Sequence, residues 1–265
     1  MKPVLVAALV LFVPLPASAQ MDFGDAPDSL APCSGLAYPD IGVYGHFPTI
    51  RTSSAGVCRG ERVSNSIGGL YFGPGIDADP GAAPALFPPY DTDECYLDGD
   101  AGLIAPTPWT IVTGGALECG LRYAACAAGG GSIGSPCGQA TWRIALQNNE
   151  SSFAPFVNVL VDWNRDGDWC DAVDCDGRVV EERLVTNVAV LETGNVELVL
   201  ENLPVGSTPG YVWARISVER QMRVVNWDGS GAGEEGESED YLLLVGNPSA
   251  VRPSTWGSIK ARYGS

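Results

Sequence analysis

The chain has 265 residues and a formal net charge of −17, with 15 Lys+Arg set against 32 Asp+Glu. A balance this acidic excludes a nucleic acid or an anionic membrane surface as the natural partner, since both are held by basic patches, and it suits cations. Gly (33) and Pro (20) exceed average usage without reaching low-complexity levels, so the length is that of one large all-β domain or two small ones.

The first nineteen residues read as an export signal. Lys2 supplies the positive start, Val4 to Leu15 the apolar stretch, and Ala17-Ser18-Ala19 the small-residue cleavage site. No later stretch approaches the length of a membrane helix, so no membrane span is expected. Residues 20–107 follow as a loop-rich N-terminal segment, in which Gly69 to Phe72 is the clearest strand. Residues 108–247 carry short β-branched and aromatic runs at Trp109–Val112, Leu121–Tyr123, Thr141–Leu146, Val157–Asp162, Arg178–Val185, Val196–Leu200, Tyr211–Val218 and Tyr241–Val245. Several alternate apolar with polar, and Gly, Pro, Asn and Asp clusters separate them. That pattern predicts an all-β antiparallel β-sandwich, jelly-roll or Ig-like, behind a disulfide-stapled N-terminal segment. Residues 248–265 form a basic tail with Arg252, Lys260 and Arg262. There Trp256, Ile259 and Tyr263 would share one face of a short helix, as a docked cap or a detachable address.

Export gives the cysteines their meaning. Cys33, Cys58, Cys95, Cys119, Cys126, Cys137, Cys170 and Cys175 are even in number and predict four disulfides in an oxidising compartment. Close spacing favours Cys170–Cys175 and Cys126–Cys137, which leaves Cys33–Cys58 and Cys95–Cys119. A zinc site is disfavoured, because no C-x-x-C pair occurs and His46 is the sole histidine.

The sharpest chemical motif is Asp162-Trp163-Asn164-Arg165-Asp166-Gly167-Asp168-Trp169. It fits the start of the calcium loop D-x-[DN]-x-[DN]-G, in which oxygens at positions 1, 3 and 5 converge around a sharp turn at position 6. Asp162, Asn164, Asp166 and Asp168 are the expected Ca²⁺ ligands. The twelfth position is Val173 rather than Glu, so the closing carboxylate must come from Asp171, Asp174 or the Glu181/Glu182 pair. An Asx-rich turn with no metal is the rival reading.

A second acidic motif, Gly236-Glu237-Ser238-Glu239-Asp240-Tyr241, is placed just before the last strand, as an exposed turn or a cation ligand. The alternation of Glu235, Glu237 and Glu239 also imitates a glycosidase carboxylate pair. Gly130-Gly131-Ser132-Ile133-Gly134 matches the nucleophile-elbow pattern but lacks the flanking strand and helix. Of the seven Trp, Trp142, Trp163 and Trp213 read as core, whereas Trp169 and Trp227 lie in loops and are the better candidates to stack on a sugar.

Three motifs in order carry a family resemblance: Asp22-Phe23-Gly24-Asp25-Ala26-Pro27 at the start of the exported chain, the loop Asp162–Trp169, and Gly236–Tyr241. Together they resemble the bacterial GEVED-domain proteins, named for a Gly-Glu-Val-Glu-Asp-Tyr signature. The stretch from Gly69 to Asp79 and the acidic residues Asp91, Asp93, Glu94, Asp98 and Asp100 are similar to further family stretches. Ser238 stands where the family has Val. Members usually place a Glu soon after the loop; with Cys170 to Val180 as an insertion, Glu182 takes that place. The resemblance implies a non-catalytic, exported module of the cell surface or extracellular matrix, the periplasm being the alternative compartment. Its partner would be a surface protein or a glycan. A calcium-dependent carbohydrate-binding module is the alternative, and a glycoside hydrolase a more distant one.

Overall fold

Ten residues from Gln139 to Asn148 show how the pattern becomes a sheet. Trp142, Ile144 and Leu146 point one way and are buried, while Thr141, Arg143 and Glu197 on the neighbouring strand face water. The computed structural model describes residues 21–22, 24–28, 30, 32–49, 65–66, 69–75, 101–126, 129–231 and 235–247. The segment expected to be an export signal, Cys58, Cys95, the acidic stretch at Asp77 to Asp100 and the basic tail lie outside these residues.

In chain order the strands are β1 (Met21–Asp22), β2 (Leu36–Tyr38), β3 (Val43–Tyr44), β4 (Asn65–Ser66), β5 (Leu70–Phe72), β6 (Leu103–Ala105), β7 (Trp109–Thr113), β8 (Leu121–Ala125) and β9 (Ser132–Gly134). They continue with β10 (Gln139–Asn148), β11 (Phe156–Val161), β12 (Ala172–Cys175), β13 (Arg178–Glu181), β14 (Arg183–Ala189), β15 (Gly194–Pro204), β16 (Gly210–Glu219) and β17 (Gly236–Val245). No α-helix occurs among the described residues; one 3-10 turn covers Glu118–Gly120.

The fold is an all-β antiparallel sandwich. One sheet has the order β15-β10-β5, with β6 also pairing β10; the other runs β14-β11-β16-β17-β7-β8, with β9 added in parallel to β17. Trp142, Ile144 and Leu146 of the first sheet meet Val157, Val159, Val161, Val212, Ala214, Ile216, Val218, Leu243 and Val245 of the second in one core. A second core lies on the opposite face of the larger sheet. There Trp213, Tyr211, Leu242 and Leu244 pack under Ala26, Leu36, Ala37, Tyr38 and Phe47 of the N-terminal segment.

This third layer explains why alternation fails in β16 and β17. Every residue of both strands is buried, because each face is covered. Polar residues on the outer face, such as Arg215 and Asp240, are enclosed by the N-terminal segment rather than by water. The acidic motif Gly236–Tyr241 therefore lies within the last strand, not before it, and is not an exposed turn. Its backbone is paired along its whole length with β16, Ala214↔Tyr241 through Glu219↔Gly236.

The disulfides differ from those that spacing favours. Cys33 is bonded to Cys119 and Cys137 to Cys175, with Cα–Cα distances of 5.5 and 5.2 Å. Cys126 and Cys170 are also disulfide-bonded. All four expected pairings, Cys170–Cys175, Cys126–Cys137, Cys33–Cys58 and Cys95–Cys119, are thereby corrected. The reason is topological. The β12–β13 hairpin folds back over the sandwich edge, so that Arg178 reaches the Cys137 carbonyl and Cys175 lies against Val205. Cys33 is carried to the start of β8 by the N-terminal layer.

Candidate metal centre

The centre starts where β11 ends. Val161 is the last core residue of that strand, and Asp162 follows it fully buried. The chain then turns tightly, with Arg165 at φ 63° and Gly167 at φ 98°. Gly167 is needed there on two counts: its backbone is left-handed, and a Cβ would overlap the Tyr44 carbonyl. The turn wraps its amides around Asp162. Oδ1 accepts from the N–H of Arg165 (2.6 Å) and Asp166 (3.2 Å), and Oδ2 from the N–H of Gly167 (2.9 Å) and the Tyr38 hydroxyl (2.7 Å).

Glu182 closes the site from a second element. The single run read from Arg178 to Val185 is broken into β13 and β14 at this residue, and its side chain is fully buried. Glu182 Oε1 accepts from the Trp163 N–H (2.9 Å) and Oε2 from the Asp171 N–H (3.0 Å). Asp162, Asp166 and Glu182 each bring a carboxylate oxygen within 4.8 Å of the others. Two oxygens about 2.4 Å from a shared Ca²⁺ are separated by at most about 4.8 Å, so the three fit one ion. Asp166, Asp168 and Asp171 form an adjoining set by the same measure.

Asn164 sits among them. Its amide nitrogen donates to Asp166 Oδ2 and Asp171 Oδ2, both at 3.0 Å, and its Oδ1 accepts from the Asp166 N–H at 3.0 Å. Asp168 Oδ1 accepts from the Cys170 N–H at 3.1 Å. Asp174 does not join the centre. It is exposed and accepts from Gly177 N–H at 3.2 Å, closing the turn of its own β12–β13 hairpin.

The electrostatics of the group are those of carboxylates crowded away from water. Burial, then the nearby Asp166 charge, pushes Asp162 up to about 7, against hydrogen bonds that lower it. Burial and the Asp162 charge raise Glu182 to about 9. Asp166 rises to about 6 through burial and the neighbouring Asp168, and Asp168 is itself raised by burial. The loop's own cation does not relieve this. Arg165 turns away and is held by Asp40 through Nη2 at 2.6 and 2.8 Å. Hard oxygen donors, high negative charge density and a preformed turn together suit a hard divalent cation.

The acidic signature serves another purpose. Asp240 takes the Arg215 guanidinium in a bidentate pair, Nε to Oδ1 and Nη2 to Oδ2, both at 2.7 Å and fully buried. Arg215 Nη1 also donates to the carbonyls of Pro48 (3.2 Å) and Gly229 (3.0 Å), and its guanidinium lies 4.7 Å from the Trp169 ring. The stretch Gly24–Ala26 docks on this pair. Ala26 N–H donates to Asp240 Oδ2 at 2.9 Å, and a Cβ on Gly24 would overlap the Asp240 carboxylate. Glu237 and Glu239 lie on the opposite face of β17, buried, with Glu237 accepting from the Phe72 N–H. Ser132 is in strand β9, its hydroxyl turned onto Gly134, with no helix behind it.

Two aromatic expectations are corrected. Trp169 is fully buried, tilted against Phe47 with ring centroids 4.4 Å apart, and Trp227 is 5% exposed with its Nε1 on the Ser230 carbonyl. Neither offers a face to a sugar, because the N-terminal layer covers the loops that carry them. Trp142, Trp163 and Trp213 are core, as read. Sequence reasoning did not find Tyr38 and Asp40, the outer partners of the loop. They lie about 125 residues upstream of it in an unremarkable Tyr-Pro-Asp, and no spacing rule links them.

No curated protein and no solved structure matches the chain. Residues 156–244, from the strand that delivers Asp162 to the one that carries Asp240, match the family model of the GEVED domain.

Proposed function

Because the chain carries a GEVED domain over residues 156–244, we propose that it is a non-catalytic, calcium-binding structural or adhesive module, exported to the cell surface or extracellular matrix. The observation that carries the reading is the convergence of Asp162, Asp166 and Glu182 from two separate elements. Two buried carboxylates, Asp162 and Glu182, and the exposed Asp166 beside them, all with upward-shifted titration, store repulsion that a divalent cation would relieve. Asn164 and Asp168 complete the oxygen set, with Asp171 at the rim.

Export accords with the disulfides, which persist in oxidising compartments, and no helix among the described residues is long and apolar enough to cross a membrane. Extracellular calcium modules bind at roughly 10⁻⁴ to 10⁻³ M. Calcium at about ten times Kd then stabilises the fold by about 1.4 kcal/mol. The test is calorimetric titration with Ca²⁺ alongside melting in calcium and in chelator. Heat of binding with a higher Tm in calcium is expected; a Tm indifferent to both, without heat, overturns the reading.

A further inference from the structure

The metal loop is also the seat on which the N-terminal layer rests. Residues 32–49 touch it at four points. The Tyr38 hydroxyl donates to Asp162 Oδ2. Asp40 accepts both bonds of the Arg165 guanidinium, which also lies 4.8 Å from the Tyr38 ring. The His46 N–H donates to the Gly167 carbonyl at 2.7 Å. The Tyr44 carbonyl occupies the space that the missing Cβ of Gly167 leaves.

These contacts depend on the turned state of the loop. Arg165 and Gly167 present their groups to the segment from left-handed backbone, and the same two residues bend the chain so that Asp162 and Asp166 converge. In the metal-free protein, the carboxylates brought within 4.8 Å of one another, Asp162 with Asp166 and Glu182 and Asp166 with Asp168 and Asp171, repel and work to open the turn. A cation that removes the repulsion favours the turn, and so favours everything seated on it. Beneath the segment lie Trp169, Trp213 and Tyr211, an aromatic floor that undocking would uncover. The Cys33–Cys119 bond tethers the segment to β8, so release would be a hinge motion and not a departure.

We propose that cation binding at the Asp162–Asp168 loop and docking of residues 32–49 on the outer face are positively coupled, with Arg165–Asp40 and Tyr38–Asp162 as the links. The inference rests on the calcium reading of the same loop. Coupling is reciprocal: the ion tightens the segment, and the segment's grip raises affinity for the ion by at least about fivefold.

The test uses the full-length oxidised protein and Ca²⁺ alone. Hydrogen exchange of peptides spanning residues 36–47 is compared in calcium and in chelator, with affinity measured in parallel by calorimetry. Calcium is expected to slow that exchange at least about tenfold, and D40N to lower affinity at least about fivefold, since Asp40 is not a metal ligand. Binding heat without a change in exchange at 36–47 overturns the coupling and leaves calcium binding standing. Absence of binding heat overturns both. An unchanged affinity in D40N also overturns the coupling; should that variant fail to fold, the wild-type exchange comparison decides alone.

Discussion

Asp166 is the residue at which the two faces of the site can be separated. It belongs to both carboxylate groupings, is exposed, and carries no backbone contact shorter than 3.4 Å to its own oxygens. D166N removes one of the crowded charges, so the metal-free protein should melt higher than wild type, while Ca²⁺ affinity should fall by roughly tenfold through loss of a ligand charge. The opposite signs distinguish a metal ligand from a mere turn residue, which would lower Tm in both conditions. Asp240 should behave differently. D240N leaves Arg215 charged, buried and half-satisfied, at a cost of about 3–5 kcal/mol with or without calcium, measured as a shift in denaturant midpoint. A calcium-dependent loss in D240N would mean that the acidic signature does reach the metal. Asp162, Asn164, Asp166 and Asp168 were legible as candidate ligands, because liganding demands particular residue types at fixed spacing, whereas Glu182 was singled out only by the family resemblance. It could not show that Asp174 caps its own hairpin, since an Asp reads the same whether it faces a loop or a turn.

Among the elements, the long strands were legible and their partners less so. The alternation of β10 and the apolar runs of β11, β16 and β17 reflect local burial, which the sequence writes directly. The break between β13 and β14 has no such signature, since Glu182 there is held by amides of another loop. Disulfide pairing was the least legible feature. Spacing pairs neighbouring cysteines, but Cys175 is brought to Cys137 by the return of the β12–β13 hairpin over the sandwich edge. That bond closes 38 residues, including β10, β11 and the Asp162–Asp168 loop. A C137S/C175S double variant should lose about 4 kcal/mol by the chain-entropy model. A loss below about 1 kcal/mol would show that the hairpin is held by packing alone.

At the scale of the whole molecule, the buried carboxylates make stability depend on pH in a set direction. Asp162 and Glu182 titrate higher in the folded, metal-free protein than in the unfolded chain. The fold therefore binds protons that the unfolded chain has already released. The stabilisation this gives is complete below about pH 4 and is lost as pH rises through about 7 for Asp162 and about 9 for Glu182. The metal-free protein should accordingly lose Tm between pH 5 and 9, and the Tm gain from calcium should be larger at pH 8.5 than at pH 5.5. A calcium gain that shrinks with rising pH would show that protons and metal do not compete for these groups. The three-layer plan was only half legible. A sandwich follows from the strand runs, whereas the covering of its outer face by residues 24–49 rests on contacts more than 100 residues apart.

The two mapped disulfides have a mechanical side. Cys33–Cys119 spans 86 positions and Cys137–Cys175 spans 38, and the two rings do not overlap. Pulled from its ends, an oxidised chain cannot pay out the length inside either ring. At roughly 3.5 Å per residue the rings withhold roughly 300 Å and 130 Å of extension. The strands after Cys175, β13 to β17, and Glu182 lie outside both rings and would pay out under load, while the Asp162–Asp168 loop stays inside the smaller ring. Reducing the bonds should lengthen the unfolding step in a single-molecule stretching trace by at least roughly 400 Å.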